Sequence, residues 1–125
     1  MSPVAFRILS DLHLEFHADG GREFVESLDV QPGEVLLLAG DVSYGDRLPA
    51  ALDLFCERFS DVVFVMGNHE LYGSDRASVL SALYKAEMRR GNLRWLDRGA
   101  IDLGHGRSIL GRPLWFPRSR ANRDA

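Results

Sequence analysis

The chain reads as an α/β protein with a mostly parallel sheet and crossover helices, and three observations predict this. Val35-Leu36-Leu37-Leu38-Ala39 and Val62-Val63-Phe64-Val65-Met66 are continuous apolar runs, each closed by a glycine. Strands buried on both faces of a parallel sheet have this texture. Between and after these runs lie segments whose apolar residues recur at helical spacing. At 125 residues, with 46% hydrophobic and 26% charged content, the chain supports one folded core and is too short for two.

In chain order, Phe6 to Leu9 forms a weaker first strand. A short amphipathic piece around Phe24, Val25 and Leu28 precedes the Pro32-Gly33 turn. The Val35 run follows as the second strand. Leu48, Leu52, Phe55, Cys56 and Phe59 then mark a crossover helix, with Asp46 as candidate N-cap and Pro49 tolerated in the first turn. After the Val62 run, Leu80, Leu83, Tyr84 and Met88 line one face of a second crossover helix. Ser74 or Asp75 would cap its start, and Arg89, Arg90 and Gly91 would close it. The resulting β-α-β-α-β-α order implies right-handed parallel connections. From residue 93 the texture changes: Leu93 to Leu96, Ala100 to Leu103 and Ser108 to Leu110 read as short strands that begin another sheet. Residues 117–125 lack apolar periodicity and read as a frayed tail beyond a domain spanning 1–116.

Composition excludes several classes. A net charge of −3 gives no general attraction to nucleic acid or anionic membrane. The single Cys56 rules out a disulfide framework and a multi-cysteine zinc site, and it fits a reducing, cytoplasmic setting. No apolar stretch approaches the roughly 20 residues of a membrane span, and no signal peptide is read. No GxGxxG opens a helix, and no glycine-rich loop ends in GK followed by Ser or Thr.

The chemistry is concentrated in Ser10-Asp11-Leu12-His13, Gly40-Asp41 and Gly67-Asn68-His69-Glu70, each at the end of an apolar run, where ligands gather in open α/β sheets. Carboxylates, imidazoles and an amide oxygen are the donors that hold divalent cations. In an extended segment Asp11 and His13, two apart, would point to the same side and share one metal. Gly40 lets the chain turn so that Asp41 can bridge two mutually repelling cations. Asn68 offers a neutral oxygen to the second cation, and its neighbour His69 faces the substrate. Glu15 reads as a solvated carboxylate near the site, and Glu70 as structural. His17 and His105 are not assigned as ligands, Trp95 and Trp115 read as packing residues, and Arg118, Arg120 and Arg123 as a solvated tail.

The ordered set DxH, GD and GNHE resembles the calcineurin-like metallophosphoesterase superfamily, and Gly111-Arg112-Pro113-Leu114-Trp115 is similar to a glycine and Leu-Trp segment in some members. The resemblance covers the N-terminal half of that fold. It implies a partial four-layer αββα sandwich, its second sheet largely missing. It implies phosphomonoester or phosphodiester hydrolysis at a dinuclear centre of Mn, Fe, Zn or similar ions, with in-line attack of water on phosphorus. Carried over by position, Asp11 and His13 hold the first metal, Asp41 bridges and Asn68 holds the second. His69 is catalytic, assisting the leaving group, and both Asn68 and His69 meet the substrate phosphate. The later histidines of the family, including a closing GHxH motif, have no counterpart in this sequence. The expectation is therefore a chain cut short by frameshift or truncation, with metal ligands missing and an uncovered core that drives self-association. The alternative function is a non-catalytic remnant or interaction module with an incomplete metal site.

Overall fold

Four parallel strands form the central sheet in the order β1 (Phe6–Leu9), β2 (Val35–Ala39), β3 (Asp61–Val65), β4 (Leu93–Leu96). The fold comes from a computed structural model, which describes residues 4–97, 99–104 and 106–113. Sheet order follows chain order, with Phe6 opposite Val35, Val35 opposite Asp61 and Val62 opposite Leu93. Three crossovers of one hand place the helices α1 (Arg22–Glu26), α2 (Leu48–Cys56) and α3 (Arg76–Arg89) on one face. Val25, Leu52, Phe55, Val79 and Leu83 from these helices share a core with Leu36, Leu38, Val62 and Phe64 of the sheet.

Alternate residues of the same strands point the other way. Val35, Leu37, Val63, Val65 and Leu96 meet Ile101 and Ile109, which belong to an antiparallel hairpin of β5 (Gly99–Gly104) and β6 (Arg107–Gly111). The apolar runs of β2 and β3 are continuous because both faces are covered. The hairpin is small, so β1 stays partly bare on that face: Phe6 is 43% and Ile8 69% exposed.

Three element-level expectations are corrected. Leu93 to Leu96 is the fourth strand of the first sheet, bonded to β3, and only the last two segments form the second sheet. Asp46 does not cap α2; it lies inside a 3-10 turn, Gly45–Arg47, that leads directly into the helix, whose N-cap position is Arg47 with no side-chain bond. The inward face of α3 is Val79, Leu83 and Ala86, while Tyr84 and Met88 are 59% and 71% exposed. Phe59, expected within the second helix, lies past its end at Cys56 but stays in the core, and two other expectations are met. Asp75 caps α3, its Oδ1 accepting the Ser78 N–H at 2.9 Å, and Trp95 packs against the main core. His105, Trp115 and the tail 117–125 lie outside the described residues.

Candidate metal centre

The segments after β1 and β2 continue side by side beyond the strands. Asp11 N–H donates to Gly40 O at 3.0 Å, His13 N–H to Asp41 O at 3.0 Å and Leu14 N–H to Val42 O at 2.7 Å. The backbone here is not extended, and this corrects the geometry expected for Asp11 and His13. Among the described residues, the non-glycine positions at positive φ are Asp11 (55°), His13 (49°) and Asp41 (53°). Aspartate and histidine are among the few residues that tolerate this region, which still costs about 1 kcal/mol or more at each position. Local strain is thus concentrated on three of the residues singled out as ligands.

The second and third loops touch backbone to backbone. A Cβ at Gly40 would lie 3.0 Å from both Cα and N of Gly67, and one at Gly67 would run into Asp41 Oδ1 and sit 2.6 Å from Asp41 N. Glycine at both positions is a steric requirement of this approach. Glu70, fully buried, ties the loops together. Its Oε1 accepts the N–H groups of Gly67 at 2.6 Å and Asp41 at 2.8 Å, and its Oε2 accepts that of Ser43 at 3.2 Å. Burial pushes its carboxyl up to about 7, with the neighbouring Asp41 charge adding to the rise, against the pull of these three donors. The structural reading of Glu70 holds, and it works by clamping two loops.

On this scaffold His13, Asp41 and His69 each offer a ligand atom, all within 4.8 Å of one another. The His13 and His69 rings lie edge to face, with centroids 4.4 Å apart. The His69 N–H donates to Asp41 Oδ1 at 2.9 Å, so the backbone after β3 also orients the carboxylate. The Asn68 amide nitrogen, in the orientation that satisfies both ends, lies 3.2 and 3.3 Å from the Asp41 oxygens, and its oxygen accepts from Tyr72 Oη at 3.2 Å. The Tyr72 hydroxyl both donates and accepts, so it can also serve the reversed amide, with the Asn68 oxygen turned toward Asp41. An oxygen so close to a carboxylate calls for a cation between them. The residues present therefore fit a divalent ion: one carboxylate, two imidazoles and an amide able to turn its oxygen inward.

His13, Asp41 and His69 thus form one group, and Asn68 adjoins it. Asp11 stands beside Gly40 through its backbone, its side chain exposed and outside the three-residue group. One nearby reading is corrected and two features went unread in the sequence. Glu15 is not solvated: its side chain is 1% exposed, and Oε1 lies 3.3 Å from Nδ1 of both His13 and His69. Tyr72 stacks on His69 with centroids 4.4 Å apart. Arg112 lines a cleft with Asp41, Gly67, Asn68 and Gly111. The Gly111-Arg112 pair carried a hint, through its similarity to the glycine and Leu-Trp segment, but Glu15 and Tyr72 have no comparable signature.

The chain is similar to known proteins in sequence and in fold. The chain is 41% identical over 70 residues to the [acyl-carrier-protein] phosphodiesterase PptH of Mycobacterium tuberculosis, covering 54% of this chain and 21% of that protein. It superposes on the crystal structure of the phosphopantetheinyl hydrolase PptH from the same organism with a TM-score of 0.65 and 25% identity, covering 90% of this chain and 42% of the other. The chain thus spans less than half the length of the relatives it matches. The model of the calcineurin-like phosphoesterases matches residues 5–122, and with the three motifs at adjoining strand ends the chain belongs to the calcineurin-like phosphoesterase family.

Proposed function

We propose that this chain carries metal-dependent hydrolysis of a phosphate ester, with a phosphodiester as the preferred substrate class. The observation that supports it most is the meeting of His13, Asp41 and His69 within 4.8 Å, from three separate segments. The name of the relative PptH, a phosphodiesterase, favours the diester over the monoester. In this reading Asp11, His13, Asp41 and Asn68 would hold the divalent cations, Asn68 through its amide oxygen. Divalent ions bound there would polarise a phosphoryl oxygen and lower the pKa of water.

The protein supplies positioning. Glu70 and the two glycines keep the loops in contact, so that Asp41 and Asn68 share one site. Arg112, in the cleft beside Asp41 and Asn68, offers positive charge to the non-bridging oxygens of the substrate. His69, through its Nε2 lone pair, would take a proton from the attacking water and pass it to the leaving alkoxide. One P–O ester bond breaks and one P–O bond forms, giving an alcohol and a phosphomonoester.

The test is turnover of bis(p-nitrophenyl) phosphate with Mn²⁺. The expected result is hydrolysis that is lost on chelation and in Asp41→Asn, with the melting temperature of the variant retained. Undiminished turnover in Asp41→Asn contradicts the assignment. Exposed Phe6 and Ile8 on the half-covered face favour a second reading, an interaction module that self-associates through β1. Light scattering that stays monomeric across a wide concentration range would eliminate it.

A further inference from the structure

Beside Asp41, the buried carboxylate of Glu15 also approaches both imidazoles of the site, and the functional reading leaves it without a role. It sits in the 3-10 turn Leu14–Phe16, directly after the strained His13. Its side chain is 1% exposed, Oε1 is 3.3 Å from His13 Nδ1 and 3.3 Å from His69 Nδ1, and Oε2 is buried without a hydrogen-bond partner. The whole hydrogen-bonding use of this buried carboxylate is directed at two rings, one 2 and the other 54 residues away in sequence. The distances are somewhat long for N–H···O bonds because one oxygen serves two donors whose rings cross at 67°.

An ionised carboxylate only accepts, so each ring must present N–H at Nδ1. A neutral imidazole protonated at Nδ1 carries its lone pair on Nε2. A free histidine in water favours the opposite tautomer, so the arrangement needs a cause, and the placement of Glu15 supplies one. We propose that Glu15 is a positioning residue that holds His13 and His69 together in the Nδ1–H tautomer. Both Nε2 lone pairs are thereby kept free, that of His13 for a cation and that of His69 for the substrate side. The consequence for the cation and substrate rests on the proposed hydrolase; the tautomer itself does not. Carboxylates placed behind metal-binding imidazoles orient the ring and raise its basicity, and their loss lowers metal affinity about 10–100-fold.

The experiment is a long-range ¹H–¹⁵N correlation spectrum of the metal-free protein at mildly alkaline pH, followed by Mn²⁺ titration. The wild type is expected to show protonated Nδ1 and unprotonated Nε2 on both His13 and His69. Glu15→Leu, of similar volume, should shift both rings toward Nε2–H and weaken Mn²⁺ binding about 10–100-fold. Glu15→Gln, whose amide oxygen still accepts, should retain the wild-type tautomer and bind Mn²⁺ more tightly than the Leu variant. Nε2–H on either ring of the wild type overturns the proposal, as does an unchanged tautomer pattern in Glu15→Leu. Should the Leu variant not fold, a shift to Nε2–H in Glu15→Gln overturns it and retention supports it. Because the spectrum needs neither metal nor turnover, absence of phosphodiesterase activity with the expected tautomers would reject the hydrolase and leave this assignment standing.

Discussion

At the residue scale the site depends on buried carboxylates more than on its ligands alone. Glu70 accepts three backbone N–H groups from the two ligand loops, so Glu70→Ala leaves buried donors without acceptors. The expected cost is about 3 kcal/mol, read as a lower denaturation midpoint at unchanged m value. Its pH dependence has a definite sign. The folded carboxyl sits at about 7, against an ordinary value of 4.5, so between these values the folded state holds a proton that the unfolded chain has released. The contribution of Glu70 is thus most favourable below about pH 4.5 and is lost as pH rises through about 7, a total of about 3 kcal/mol. Urea unfolding at closely spaced pH values would show this as a decline present in the wild type and missing from Glu70→Ala. Equal slopes in the two proteins would disprove it.

At the element scale, the loop contact after β2 and β3 makes Gly67 critical. A methyl group there collides with Asp41 Oδ1, so Gly67→Ala should displace the carboxylate and weaken Mn²⁺ binding by at least tenfold in calorimetric titration. Wild-type affinity would show that the loops separate freely. Helix α3 gives a packing prediction. Leu83 is fully buried between the helix and the sheet, so Leu83→Ala should cost about 3 kcal/mol, whereas exposed Met88→Ala should stay within about 0.5 kcal/mol. Leu83 and Met88 both belong to the face that periodicity implies, with Leu80 and Tyr84, so the comparison tests whether that face extends to Met88 or turns away from the core after Leu83. That misreading has a physical origin. Large apolar residues draw attention in a helical count, but Tyr84 and Met88 tolerate solvent, while the smaller Val79 and Ala86 allow α3 to approach the sheet closely.

At the scale of the whole molecule, most of the parallel sheet was legible because β2 and β3 are apolar on both faces. Leu93-Arg94-Trp95-Leu96 was legible as a strand but not as the fourth of this sheet, because it carries a charged residue at an edge position and is followed directly by strands of a different sheet. The site was legible as three motifs at strand ends, and His13, Asp41 and His69 from those motifs lie within 4.8 Å of one another, with Asp11 outside that group. Its supporting carboxylates were hidden. A buried Glu has no period, and the partner of Glu15 across the site lies 54 residues away. Among the described residues no helix is long and apolar enough to cross a membrane. A folded protein that binds a cation only in its native form is stabilised by it, so Mn²⁺ at about 100 times its dissociation constant should add about 2.7 kcal/mol. Chelator should reverse the accompanying rise in melting temperature.

The most direct test of the central claim, that separate segments converge on one cation, is residue-specific paramagnetic broadening. At the first equivalents of Mn²⁺ the imidazole signals of His13 and His69 should broaden together while those of His17 persist, and Asp41→Asn should abolish the selectivity. Equal broadening of all three histidines, or none at any, would contradict the account.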